Sequence, residues 1–165
     1  MSVQPLSRRA LLGGRFSRAD TILPPGASRD ALHHCTGCNL CTERCPTSII
    51  HLVDGLPSVD LHVGECTFCG ECREACPEPV FPPNAELRFD HRAEVKENCL
   101  ALNRIACQSC GEACPVEAIR FAPRIGTAFI PLIDSAACNG CGSCLQVCPV
   151  GAITMRLKEP EAVHG

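Results

Sequence analysis

Cys35-Thr36-Gly37-Cys38-Asn39-Leu40-Cys41-Thr42-Glu43-Arg44-Cys45-Pro46 spaces its cysteines as C-x2-C-x2-C-x3-C-P. The same spacing returns at Cys66, Cys69, Cys72 and Cys76, and again at Cys138, Cys141, Cys144 and Cys148. A further group, Cys99, Cys107, Cys110 and Cys114, keeps the last two intervals but stretches the first to seven intervening residues. Together the four groups use all 16 cysteines of the 165-residue chain. None is left over.

Two bland explanations fail on the spacing. Cysteine at this density marks a disulfide scaffold in a short secreted chain, and that needs an oxidising compartment. Disulfides impose no preference for one triple run repeated along a chain. Structural zinc takes C-x2-4-C pairs held well apart in sequence. Three closely spaced thiolates plus a distant fourth suit the corners of a cubane, and the run ending in Cys-Pro is the bacterial signature of a 4Fe–4S cluster. The spacing predicts an iron–sulfur protein with four such clusters expected and at least three.

Composition agrees. The chain has no Trp or Tyr, and its Phe are Phe16, Phe68, Phe81, Phe89, Phe121 and Phe129. Aromatics supply much of the buried area in an ordinary core, so metal ligation is expected to contribute folding energy here, and the metal-free chain to be largely disordered. The net charge of −3 is uneven. Residues 1–29 carry Arg8, Arg9, Arg15, Arg18 and Arg29 against Asp20, which leaves the remaining chain strongly acidic. An acidic body is a poor partner for phosphate backbones, so no nucleic-acid partner is expected. Docking to a protein of complementary charge fits better.

Ser7-Arg8-Arg9-Ala10-Leu11-Leu12 resembles the start of a twin-arginine export signal. The apolar stretch that should follow ends at Gly14, Arg15 and Arg18 interrupt the next residues, and no small-residue cleavage site precedes Pro24-Pro25-Gly26. No apolar run is long enough for a membrane span. A retained basic arm on a cytoplasmic protein is therefore expected, either as a tail or as a partner-recognition segment through Arg8 and Arg9.

The first cysteines of successive groups lie 31, 33 and 39 residues apart. One cysteine group per period in the low thirties indicates a repeated unit. Each unit is expected to run from cluster loop to short helix to short strand. Cys114-Pro115-Val116-Glu117-Ala118-Ile119 and Cys148-Pro149-Val150-Gly151-Ala152-Ile153 place Pro where a helix starts, its free N–H groups near anionic sulfur. Strands are expected at 48–53 with 59–63, joined through Asp54-Gly55-Leu56-Pro57, and at 119–121 with 128–133. In the second unit Cys76-Pro77-Glu78-Pro79 blocks a helix.

The arrangement resembles the two-cluster bacterial ferredoxin twice over. That resemblance implies an α+β fold of two tandem two-cluster (2x[4Fe–4S]) ferredoxin-like modules with short helices and short antiparallel strands. The divisions are a basic, flexible arm at 1–29, a first module at 30–78, a linker at 79–96, a second module at 97–157 and a tail at 158–165. It further implies crossed ligation. Cys35, Cys38, Cys41 and Cys76 would hold one cluster, and Cys66, Cys69, Cys72 and Cys45 the next. Cys99, Cys107, Cys110 and Cys148 would hold the third, and Cys138, Cys141, Cys144 and Cys114 the fourth. Cys99 is the least certain ligand, because an isolated buried cysteine behaves as a small hydrophobe. The mostly apolar loop 100–106 is placed to cover its cluster.

No catalytic constellation is visible. Gly-rich nucleotide loops, G-x-S-x-G and H-E-x-x-H are absent from the sequence, so an enzyme is not expected. His34 beside Cys35 reads as a solvated loop histidine. Glu43, Glu71, Glu74 and Glu112, inside the cluster loops, read equally as a docking surface or as solvated charge.

The arm Ser7-Arg8-Arg9-Ala10-Leu11-Leu12-Gly13-Gly14-Arg15-Phe16, followed by four cysteine groups with a stretched third, is similar to one accessory family of the periplasmic nitrate reductase system. That similarity implies a cytoplasmic ferredoxin-type helper. Such a helper binds the molybdenum-containing catalytic subunit before export and assists insertion or reductive activation of that subunit's 4Fe–4S cluster. The residues themselves support one-electron carriage, which leaves an electron-transfer ferredoxin or redox subunit as the alternative.

Overall fold

The computed structural model describes residues 21–125 and 129–157; Arg8, Arg9, Ala128 and the tail at 158–165 lie outside them. Every cysteine group carries a one-turn helix that holds its third cysteine. These are α1 (Leu40–Glu43) with Cys41, α2 (Glu71–Glu74) with Cys72, α3 (Ser109–Glu112) with Cys110 and α4 (Ser143–Gln146) with Cys144. The helices therefore precede each Cys-Pro pair. After the pair the chain makes a turn, and the third residue beyond the cysteine is left-handed in three units: Ser48 (φ 53°), Glu117 (φ 50°) and Gly151 (φ 57°). The helix expected to start at Pro115 and Pro149 does not form. A left-handed residue two positions on is incompatible with helix continuation.

Three antiparallel strand pairs follow. β1 (Ile50–Val53) pairs with β2 (Leu56–Val59), with Ile50 opposite Val59 and Val53 opposite Leu56. The turn between them is Asp54-Gly55, both at positive φ (52° and 78°). Positive φ at both central residues makes a tight two-residue hairpin loop, the geometry that favours Asp-Gly. The second strand thus begins at Leu56, three residues before the expected 59–63, and Pro57 sits within it in a two-stranded sheet where no third strand among the described residues requires its N–H. β4 (Ile119–Ala122) pairs with β5 (Ile130–Ile133) close to the expected 119–121 and 128–133.

The third pair was not expected. β3 (His91–Val95) pairs with β6 (Ile153–Leu157), Val95 opposite Ile153 and His91 opposite Leu157. β3 lies within the stretch read from sequence as linker. Two residues ahead of it, Phe89 is buried in a first core with Ile49, Ile50, Val59, Leu61 and Cys72. Ala93, within β3, is buried in a second core with Ala118, Ile119, Cys138, Cys144 and Ile153. Leu145 and Met155 pack against both cores. Residues 79–96 therefore weld the two cysteine-rich halves together.

The same holds for residues 21–29, assigned from sequence to the flexible arm. Leu23, Pro24 and Pro25 are buried, the Ile22 carbonyl accepts the Val59 N–H at 2.8 Å, and the Ser28 N–H reaches the Val80 carbonyl at 3.0 Å. Large side chains in the deepest positions are few, namely Ile49, Val80 and Pro24 among the described residues. Each buried aliphatic side chain is worth about 1.5–3 kcal/mol, so this interior is thin for the length of chain it must order.

Candidate metal centres

The three regular units share a loop geometry. The residue before the second cysteine is left-handed in each (Gly37 at φ 68°, Phe68 at 54°, Gly140 at 81°), and so is the residue after it (Asn39 at 70°, Gly70 at 82°, Gly142 at 92°). These reversals curl the backbone around the thiols. In the third unit Gln108 stands at the second position with φ −134°, and Cys99 arrives by a separate path through the turns of residues 100–104.

Thiols from different units lie within electrostatic reach of one another. Burial raises the Cys41 thiol, the Thr42 hydroxyl lowers it, and the neighbouring thiolates of Cys35, Cys76 and Cys38 raise it further. Burial pushes Cys72 up to about 12, with Cys66, Cys69 and Cys45 adding to the rise. Cys110 goes up to about 11, again through burial and then through Cys99, Cys107 and Cys148. Cys144 goes up to about 12 by burial and by Cys141, Cys138, Cys110 and Cys114. In each case the fourth cysteine of one run is among the thiols felt by the third cysteine of another, and at Cys144 so is Cys110 of the neighbouring set.

Two cavities lie inside these quartets. One, with about 350 Å³ free of atoms including its mouth, is lined by Cys45, Cys66, Cys69 and Cys72 together with Phe68 and Ile49. The other, about 320 Å³ on the same measure, is lined by Cys99, Cys107, Cys110 and Cys148 with Leu100, Phe121 and Ile153. Among the described residues no three His, Cys, Asp or Glu converge tightly enough for a single ion. Thiols ringing a void suit a polynuclear group; soft sulfur ligands on their own select zinc, copper(I) or iron–sulfur.

Polar groups face the sulfurs. The Ala118 N–H donates to Cys114 Sγ at 3.3 Å and the Ala152 N–H to Cys148 Sγ at 3.1 Å. At Cys45 burial raises the thiol, but the Thr47 hydroxyl and the N–H groups of Ile49, Thr47 and Ile50 outweigh it and leave the group lowered. The fourth residue past the cysteine is a donor each time, turned back by the left-handed residue before it, and at Cys45 Thr47 and Ile50 join it. Cys76 is the exception. Its third following residue is Pro79, whose ring locks φ negative, and Cys76 Sγ instead lies 3.5 Å from the Glu78 carbonyl. Donors aimed at thiolate sulfur are what an anionic cluster needs, so the residues present fit 4Fe–4S groups.

Around the quartets, Cys38 and Cys69 are exposed while Cys72, Cys99, Cys138, Cys141 and Cys144 are buried. In loop 100–106, Ala101 is buried and Leu100 lines the Cys99 cavity, whereas Leu102 and Ile105 face solvent. The loop covers its site only in part. His34 is exposed, its ring 3.9 Å from that of His33 and tilted 42° to it, and Glu43, Glu74 and Glu112 are exposed with Glu71 half-buried. Sequence reasoning missed the buried pair His91 and Arg92, which lie in β3 against the Cys138 loop. His91 Nε2 sits 3.1 Å from the Gly140 carbonyl, and Arg92 donates to the carbonyls of Ser135, Phe89 and His91. Two adjacent polar residues inside a charged stretch gave no sign of burial. No helix among the described residues is long and apolar enough to cross a membrane.

Known proteins place these features in one family. A 4Fe–4S dicluster domain family matches residues 34–81, and another 4Fe–4S dicluster domain family matches residues 103–152. The second match starts beyond Cys99. A ferredoxin-type protein NapF of Haemophilus influenzae is 43% identical, covering 98% of this chain and all of the relative. A ferredoxin-type protein NapF of Escherichia coli K12 is 38% identical over 90% of this chain and 93% of its own length. The methylamine utilization ferredoxin-type protein MauM of Methylophilus methylotrophus is 32% identical over 90% of this chain and 76% of its own length. Two dicluster domains and 16 cysteines give the chain up to four 4Fe–4S clusters and an electron-transfer or accessory role. With relatives of this identity spanning almost its whole length, the chain belongs to the NapF family of ferredoxin-type iron–sulfur proteins.

Proposed function

We propose that this chain is a cytoplasmic four-cluster ferredoxin that engages the molybdenum-containing catalytic subunit of a periplasmic nitrate reductase before export. There it supports assembly or reductive activation of that subunit's own 4Fe–4S cluster. Its ligand sets are Cys35, Cys38, Cys41 and Cys76; Cys66, Cys69, Cys72 and Cys45; Cys99, Cys107, Cys110 and Cys148; and Cys138, Cys141, Cys144 and Cys114. The proximity of thiols across units, with two of the quartets each lining a cavity, supports this assignment.

Bound clusters supply one-electron chemistry between two oxidation states. The chain holds the thiolates, keeps water from the buried ones and aims N–H groups at sulfur, which favours the more negative state. Family membership supports the nitrate reductase client, and Arg8 and Arg9 are the proposed partner contacts. The likeness to MauM proteins favours a second reading, a general electron-transfer ferredoxin or redox subunit.

Affinity capture from cytoplasm, with the full chain and with residues 1–20 removed, separates the two. A maturation factor retains the immature catalytic subunit through the arm. Electron delivery with no client retained contradicts that role and supports the general carrier.

A further inference from the structure

The two modules meet cysteine loop to cysteine loop. The Cys66 N–H donates to the Cys141 carbonyl at 2.8 Å. The loops are clamped on both sides of that bond. Ser143 Oγ donates to the Glu65 carboxylate and lies 3.4 Å from Cys141 Sγ. Gln146 Nε2 donates to the Leu61 carbonyl at 2.7 Å. Contact is close enough that a Cβ on Gly142 would stand 2.9 Å from Leu61 Cδ2.

The geometry points to an electron bridge at this junction, in which the Cys66–Cys141 backbone hydrogen bond couples the two inner quartets. The order of the relay is then the Cys35 set, the Cys66 set, the Cys138 set and the Cys99 set. This inference rests on the proposed ligand sets. Within each module the neighbours are joined by crossed cysteines; between modules the route is one ligand's amide to another ligand's carbonyl. Each step moves one electron and no proton, breaks no bond, oxidises the donor-side centre by one electron and reduces the next by one. A low-potential one-electron donor protein fills one end, and a one-electron acceptor empties the other. Cys138, Cys141 and Cys144 are buried, which limits water reorganisation on that side of the crossing, while Cys69 of the Cys66 set is exposed. Exposed Cys38 gives a partner access to the Cys35 end.

The test uses the full-length holo-protein, purified without oxygen and reduced with dithionite. Iron and acid-labile sulfide are counted first; fewer than three clusters per chain overturns the ligand sets themselves. With the count in place, the EPR spectrum and its power saturation should require one interacting array spanning both modules. A spectrum that resolves into two independent two-spin systems overturns the bridge and leaves the ligand sets standing. The double variant Glu65→Ala/Gln146→Ala removes clamps without touching a ligand. It should keep its iron and lose the inter-module broadening; unchanged broadening with the junction opened, as read by amide hydrogen exchange at Cys66, contradicts the bridge. If the variant loses its iron, the wild-type spectrum decides.

Discussion

The rings of Phe68 and Phe89 meet edge-on with centroids 5.6 Å apart. Phe68 belongs to the loop between Cys66 and Cys69, and Phe89 leads into the strand whose Ala93 is buried in the other core. A cluster loop of the first module is thus packed against the segment that anchors the second. Phe89→Ala should cost roughly 3–5 kcal/mol, the range for emptying a buried aromatic site. Denaturant unfolding of the anaerobic holo-protein would show it as a lowered midpoint. A midpoint equal to that of the parent would mean that the two cores are not joined through this residue.

Arg92 is a second fastening. It is 6% exposed, and its guanidinium satisfies three carbonyls from two chain segments. Arg92→Met keeps the stem and leaves those acceptors without a donor, a loss of roughly 2–4 kcal/mol given the cost of stranded buried acceptors. Arg92→Lys should rescue little of it, since a point ammonium cannot reproduce the planar fork. Full stability in the Lys variant would show that charge alone matters here.

These two residues mark where the sequence stopped being legible. The cysteine runs and the strand pair at 119–133 could be read because their determinants are local in sequence. β3 pairs with residues some sixty positions away, and its His91-Arg92-Ala93-Glu94-Val95 carries three charged or titratable side chains. Nothing nearby reveals that His91 and Arg92 turn inward. The hairpin at 50–59 was misplaced for a different reason. Asp54-Gly55 was read as the start of a four-residue connection, although both residues at positive φ close the turn in two. The Cys-Pro pairs suggested helix starts, but the left-handed residues at 48 and 117 were not foreseeable from residue type, since Ser and Glu have little preference for that conformation; only Gly151 is of a type that adopts it readily.

Cys99 lines a cavity with Cys107, Cys110 and Cys148 despite lying outside the matched dicluster domain. Cys99→Ser should lower iron and acid-labile sulfide by one cluster's content, or convert that centre to a three-iron form with a new oxidised-state EPR signal. Unchanged metal content and superimposable spectra would make Cys99 a packing residue.

His91 gives stability a pH dependence. Burial lowers its pKa from 6.5 to about 4, with the Gly140 carbonyl opposing and the Arg92 charge adding to the fall. Between those values the unfolded chain binds a proton that the folded chain refuses. Stability is therefore intact above pH 6.5 and declines as pH falls towards 4, by roughly 3 kcal/mol over the whole window. Comparing unfolding midpoints at pH 7.5 and 5.5, the parent should lose about 1 kcal/mol more than His91→Gln. Equal losses would mean that His91 takes up its proton in the folded state.

Iron and acid-labile sulfide per chain, measured with zinc on the same anaerobically purified protein, bear most directly on whether thiol quartets and inorganic sulfur hold this fold. Four cubanes' worth of each, lost together with the native circular dichroism when iron is chelated, is the predicted result. A chain that stays folded with neither iron nor sulfide, or that carries zinc in their place, would contradict it.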